Sequence, residues 1–337
     1  MDTVPPAFSE HLCCVLYTKG LRAAQALSGH YGITASYAYQ NLASYASVVE
    51  GGIEKRAHLE YVCSSRKVRT LEEIEAVPKK FVHDVTINVK DVHSESVSRA
   101  IIRRFPYATH HFALNLPSIN EAWIDFAHSL QRLGIIGIRV KLDDRAIHLF
   151  KKLVDSRKLT VLSLTEEGCK SNIMEVLKAV LCQNQFQKVV IEKYQNSPVV
   201  SKLLQFWSRN SEKLRGKSLV ACGYCEGAVE QLEEFLLQRP SAKERSVSGI
   251  QEALKICSQE ECKVIDKQYY NNMVVYRNRT CVHKFEEDDE GEIRRIYIYF
   301  KYNRGGQGQV ACPFCPGQPP NGHEGRLRGA TLRFKFA

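Results

Sequence analysis

From Val82 onward, apolar and polar positions alternate in short bursts, and the bursts recur. Six of them line up: "VTINV" (85–89), "FALNL" (112–116), "IRVKL" (138–142), "VLSL" (161–164), "KVVIE" (188–192) and "SLVAC" (218–222). With Ile87, Leu114, Val140, Leu162, Val189 and Leu219 taken as equivalent, the steps are 27, 26, 22, 27 and 30 residues. Alternation with a period of two puts one set of side chains on a single face of a strand. After each burst the rhythm changes to that of an amphipathic helix, as in "NEAWIDFAHSLQRLG", "DRAIHLFKKLV" and "SPVVSKLLQFW". Ser118 and Asn120 before the second helix, and Ser197-Pro198 before the fifth, are start signals. Self-similarity at this period predicts strand–helix repeats. A doubly wound nucleotide fold would carry a glycine-rich turn after its first strand, and none of the six strand ends has one. Leu159, Leu162 and Leu164 instead form Leu-x-x-Leu-x-Leu, which favours a leucine-rich-type solenoid, although most units lack the Asn or Cys that usually follows the strand.

The flanks follow other patterns. Phe8, Leu12, Val15 and Leu16 fall on one helical face behind Pro5-Pro6, and prolines suit a helix start. A second helix carries Leu21, Ala24, Leu27 and Ser28, followed by Tyr31, and "TASYAYQNLASYASV" (34–48) reads as a third. Residues 49–80, mixed and charged between Gly51-Gly52 and Pro78, read as a connecting segment with some helix. Beyond Arg239-Pro240, "SGIQEALKICSQ" (248–259) predicts a helix. "MVVYRNRTCVHKF" and "EIRRIYIYFKY" predict a hairpin whose tip is "EEDDEGE". That tip lacks the carboxylate spacing of a calcium loop. Residues 303–337 hold Gly305-Gly306, Pro319-Pro320 and no apolar period, a composition that predicts disorder.

The predicted class is therefore α/β. It comprises a helical module (1–48), a connecting segment (49–80), an irregular repeat solenoid (81–245), a helix plus β-hairpin (246–302) and a basic tail (303–337).

Composition changes this picture little. At 44% hydrophobic and 25% charged the chain has globular proportions, and no apolar run reaches the roughly 18 residues a membrane helix needs. The first residues lack a basic stretch and a long apolar run, so no export signal is read and a cytoplasmic or nuclear location is expected. In that setting the 12 cysteines are read as free thiols, and Asn278-Arg279-Thr280 as an accidental sequon. The net charge of +10 is spread out, with four charges of it in the segment from Asn303. A patch, not a total, binds phosphates.

Candidate chemistry is sparse. Cys312-Pro-Phe-Cys315 with His323 supplies three of the four ligands a structural zinc needs, and Cys281 or His283 would have to come from the hairpin. These are weak metal candidates, and no cofactor is expected. Cys222 and Cys225 ("CGYC") read as packing thiols, not a redox pair. His110-His111 has no carboxylate or Cys at ligand spacing, so one ring packs and the other is solvated. No nucleophile, metalloprotease or phosphate-loop motif occurs, so neither catalysis nor a small-molecule substrate is expected. Arg294, Arg295, Lys301 and Arg304 interleave with Tyr297 and Tyr299, the pattern of a base-stacking nucleic-acid surface. Strands also favour Tyr for packing alone, so nucleic acid is the weakest of the binding alternatives.

The opening stretch is the most specific signal. Val4-Pro5-Pro6-Ala7, then Leu12 and Leu16, then Leu21, Ala24, Leu27-Ser28 and Tyr31, resembles the F-box, with Ala7 where that family has an acidic residue and Tyr31 where it has tryptophan. "VPPAF" followed by "LSGHYG" also looks like expanded nematode families of F-box-like proteins. The resemblance covers about 40 residues ahead of a repeat array, an order common among such proteins. It implies a non-catalytic adaptor of a Skp1–cullin–F-box-type ubiquitin ligase. Pro5, Phe8, Leu12, Leu16, Leu21 and Leu27 would dock on a Skp1-like partner while the repeats hold an unknown target protein. Two alternatives stay open: a repeat scaffold whose N-terminal helices only cap its core, and RNA binding through the basic C-terminal region.

Overall fold

A computed structural model describes residues 5–16, 18–170, 172–239, 254–258, 260–263, 265, 282–289, 292–302 and 328–337. The chain is mixed α/β and divides into two compact units, residues 1–137 and 138–337. No helix among the described residues is long and apolar enough to cross a membrane.

The first unit opens with α1 (Pro6–Val15), α2 (Thr18–Gln25) and α3 (Gly29–Asn41). Strands β1 (Ala43–Glu50) and β2 (Ile53–Tyr61) then form an antiparallel hairpin. Gly51 and Gly52 make its turn at φ +63° and +69°, the left-handed pair that a two-residue hairpin loop demands. This corrects the expected helix over 34–48 and the connecting segment after it. The helix ends at Asn41, and Tyr45, Ser47 and Val49 alternate inward from a strand. Then come β3 (Lys67–Val68), α4 (Leu71–Ala76), a single 3-10 turn at Lys79–Phe81, β4 (Val82–Val89), α5 (Glu95–Arg104), β5 (Thr109–Leu114), α6 (Glu121–Ser129) and β6 (Leu133–Ile138). The spatial order is β3-β2-β1-β4-β5-β6, with β1, β4 and β5 parallel. The third expected strand, 138–142, lies further along the chain than β6, because "LGIIGI" supplies the paired residues.

The second unit begins with α7 (Asp144–Asp155), β7 (Val161–Thr165), α8 (Glu166–Cys169), α9 (Met174–Leu181), β8 (Lys188–Tyr194), α10 (Val199–Arg209), α11 (Ser211–Leu214), β9 (Ser218–Tyr224) and α12 (Glu226–Leu237). After these come β10 (Lys255–Ile256), β11 (Val282–Asp289), β12 (Glu292–Tyr302) and β13 (Arg328–Phe336). The strand order is β7-β8-β9-β13-β12-β11-β10. Strands β7, β8 and β9 are parallel, and the rest join antiparallel. The hairpin forms as expected through β11 and β12, except that Glu286–Asp289 of the expected charged tip are paired within β11. Two other expectations fail. Residues 255–256 are extended where a helix over 248–259 is predicted, and part of the supposed tail is a strand inside the sheet. Leu332, Phe334 and Phe336 carry β13, all fully buried, with Phe336 stacked on Trp207 of α10 at 6.1 Å.

The helices that alternate with the parallel strands pack side by side. In the first unit, α5 packs beside α6; in the second, α7 packs beside α9, and α10 beside both α9 and α12. The alternation in the strands fits cover by these helices on one face, since parallel strands covered on both faces would be apolar throughout. Val189 and Ile191, and Leu219 and Ala221, turn to the helices, while Lys188, Val190, Ser218 and Val220 take the opposite face.

Candidate partner-binding face of the N-terminal helices

The helix α1 starts where its prolines place it. Pro5 is the cap residue and its carbonyl accepts from the amides of Phe8 (3.0 Å) and Ser9 (3.4 Å). Ser9 and Cys13, four apart, turn inward. Cys13 joins Leu21 and Ala24 of α2, Ala35 and Ala38 of α3, Leu42 and Phe81 in one apolar cluster, against which Leu16 and Tyr31 pack in part. Small residues let the three helices approach closely. At Gly32 a Cβ would lie 1.9 Å from the Leu27 carbonyl oxygen, so α3 could not sit against the preceding turn with any other residue there. Glu10 and Lys80 pair at 2.9 Å, and the ring of Tyr37 meets that of Phe81 edge-on at 5.5 Å.

The outer side carries exposed apolar residues among polar ones such as Glu10, His11 and His30. Phe8 is 58% exposed and Val15 48%, with Leu12 half-buried between them, spaced i, i+4 and i+7 along one stripe of α1. Leu27 is exposed in the turn after α2, and α3 presents Ile33 (72% exposed) and Tyr37. The six residues named by the resemblance thus separate. Pro5, Phe8 and Leu27 are open to solvent, and Leu12 and Leu16 are partly covered. Leu21 is fully buried inside the module, so its work is internal packing. Val15, Ile33 and Tyr37 belong to the exposed set although the resemblance names none of them. Ile33 and Tyr37 are four apart, a signal lost when the third helix is started at residue 34. Burial raises the thiol pKa of both Cys13 and Cys14, so neither is poised as a nucleophile.

Nothing matches the chain among family models, curated proteins or solved structures.

The remaining candidates are structural in their geometry. Cys225 is buried at the start of α12, and burial pushes its thiol up to about 11, the opposite of a redox cysteine. His111 does have a carboxylate, contrary to its neighbours in sequence: its Nε2 lies 3.0 Å from Asp84 Oδ1, and its Nδ1 accepts from the Ile135 amide at 2.8 Å. Both ring nitrogens are therefore occupied, and the pair ties β4, β5 and β6 together. His110 is buried with Nε2 3.3 Å from the Phe105 carbonyl oxygen. Tyr297 and Tyr299 are buried with Cys257, Ile265 and Val282, so their rings serve packing. Arg295 pairs with Glu286 at 2.6 Å, and Arg294 donates to the Ser208 carbonyl at 2.6 Å. No group of three metal-ligating side chains occurs among the described residues. Cys281, Arg304, Cys312, Cys315 and His323 lie outside the described residues.

Proposed function

We propose that this chain is a non-catalytic adaptor of a Skp1–cullin–F-box-type ubiquitin ligase, docking on a Skp1-like protein through α1–α3. The observation that carries the reading is the division of that module into a packed inner side and an outer apolar stripe. Three helices with Phe8, Val15, Leu27, Ile33 and Tyr37 exposed have more apolar surface than their own fold covers. Exposed apolar side chains of this kind are what a partner removes from water. The sheets then hold the target protein on the faces their helices leave open. The succession of parallel strands in chain order, with their helices side by side, supports a leucine-rich-type arc over an open nucleotide-binding sheet.

A second reading has its own support, because Phe81 sits in the cluster with Cys13, Ala35 and Ala38. On that reading the helices cap a scaffold and dock nothing. One experiment separates the two. Phe8→Asp with Val15→Asp changes only exposed positions, so thermal melting stays near wild type. Binding of the full chain to purified Skp1-like protein should weaken at least about tenfold, the scale of losing one or two interface anchors. A wild-type chain that does not bind, or a double variant that binds equally well, eliminates the adaptor reading.

A further inference from the structure

The sheet of the first unit ends in an edge that is mostly uncovered. Strand β3 pairs with β2 only at Leu59 and Glu60, so residues 53–58 of β2 have β1 on one side and no strand on the other among the described residues. The Tyr61 amide donates outward to the Arg66 carbonyl at 2.9 Å, and alternate residues of a strand direct their backbone groups to the same side. Leu59 and Ala57 therefore face outward as well. Leu59 is taken by β3, while Ala57 has no backbone partner on that side among the described residues. An edge with unpaired amide and carbonyl groups is a template for another extended chain.

The side chains along this edge are cationic. Residues 53–70 hold Lys55, Arg56, Arg66, Lys67 and Arg69 against two carboxylates, Glu54 and Glu60. Both carboxylates are engaged: Glu54 accepts from the Tyr45 hydroxyl at 2.6 Å and pairs with Arg104 at 3.3 Å, and Glu60 pairs with Lys67 at 3.2 Å. Glu72 and Glu73 follow in α4, with Glu73 tied to Thr70. Lys55, Arg56 and Arg69 are exposed, and none of them pairs with a carboxylate among the described residues. Lys55 is the extra residue of a bulge, since Val48 pairs with Arg56 and Val49 with Glu54. Such an edge repels a second copy of itself, because the same cations would meet across the new pair. The same charges attract an acidic strand.

We infer that the outer edge of β2 is a docking site for an acidic, extended peptide of another protein, which joins the sheet as an added strand beside residues 53–58. Main-chain bonds to Ala57 supply the pairing, and side chains at alternate positions supply the selectivity. Arg56 and His58 take the face opposite Leu59. An added strand lies about 4.8 Å from β2, so a carboxylate at every second position of the peptide falls beside them. The planar fork of Arg56 can hold both oxygens of one carboxylate, and Lys55 acts as a point charge. The site uses no residue of α1–α3 and holds whatever those helices bind.

The test is fluorescence anisotropy of the full chain with a labelled peptide of alternating Val and Glu. Wild type should bind it, and a Val–Lys peptide of the same length should not bind. Lys55→Glu with Arg56→Glu reverses charge at exposed positions only, so melting stays near wild type while affinity falls at least about tenfold. Ala57→Pro removes an outward amide and leaves the ladder to β1, a change an edge strand accepts, and should weaken binding by a similar factor. The same loss is expected when proline replaces the central Val residues of the peptide. No binding by wild type, or equal binding by the charge-reversed variant, overturns the inference. Undiminished binding of the proline-substituted peptide overturns it as well, because the contact is then purely electrostatic. A wild-type dimer in sedimentation that Ala57→Pro dissociates gives the edge to a second copy instead. Single-stranded RNA bound more tightly than the peptide likewise overturns the inference.

Discussion

At the scale of single residues, His83 and His110 set how the first unit responds to acid. Burial lowers both pKa values. Arg132 lowers each further, and so does His111 for His110; Asp84 works against the shift at His83, and the Phe105 carbonyl against it at His110. The folded chain therefore holds both rings neutral at a pH where the unfolded chain has begun to protonate them. Stability from this source is complete above the ordinary histidine value of 6.5 and falls as pH drops below it. The slope is at most about 1.4 kcal/mol per pH unit for each ring. Urea midpoints at pH 7.5 and pH 5.5 check this: the midpoint should fall, and His83→Gln with His110→Gln should flatten the dependence. An equal fall in the double variant would place the acid sensitivity elsewhere. Little of this could be read from the sequence. Asn120 could be recognised as a cap from its neighbours, and its side chain does accept from the Trp123 amide at 2.8 Å. The carboxylate that meets His111 is 27 residues away, a proximity only the sheet register creates.

At the scale of elements, the helices of the second unit depend on local starts as well as on packing. Asp143 Oδ1 accepts from the Ala146 amide at 2.6 Å at the head of α7. That helix buries Ala146, Ile147, Leu149, Phe150, Leu153 and Val154 along one side. Asp143→Ala should cost about 1 kcal/mol, read as a lower denaturant midpoint at unchanged slope, while Asn at that position should keep most of it. The repeat strands were legible because their helix-facing residues are large and aliphatic while several of the alternate ones, such as Ser163, Lys188 and Ser218, are polar. Strand β1 was not, since "ASYASVVE" buries Ala43, Tyr45 and Ser47, residues with a weak apolar signal. Strand β13 did carry a signal, Leu332, Phe334 and Phe336 at alternate positions, obscured by the glycine- and proline-rich stretch before it.

At the scale of the whole chain, β13 is the piece on which the second unit closes. It lies between β9 and β12, and Lys335 reaches Gly216 across 119 residues of sequence. Ending the chain before Arg328 would remove Leu332, Phe334 and Phe336 from the interior, each worth about 1.5–3 kcal/mol of burial. Together these approach the roughly 5–15 kcal/mol by which a domain is stable. The edges of β9 and β12 would also be left unpaired. Limited proteolysis with mass spectrometry should then find residues 5–137 still protected and the second unit digested. Protection of the second unit equal to that in the full chain would show that β13 is dispensable.

The late position of β13 also fixes an order of events during synthesis. The first unit has all its strands once β6 has been made, and it can fold while translation continues. The second unit must wait, with the facing edges of β9 and β12 unfilled, until β13 has emerged. Nascent chains interrupted in that interval would carry a finished N-terminal helical face on an unfinished second sheet. On the proposed function, quality control would have to remove such products, because they could occupy a docking partner without offering a complete surface to anything else.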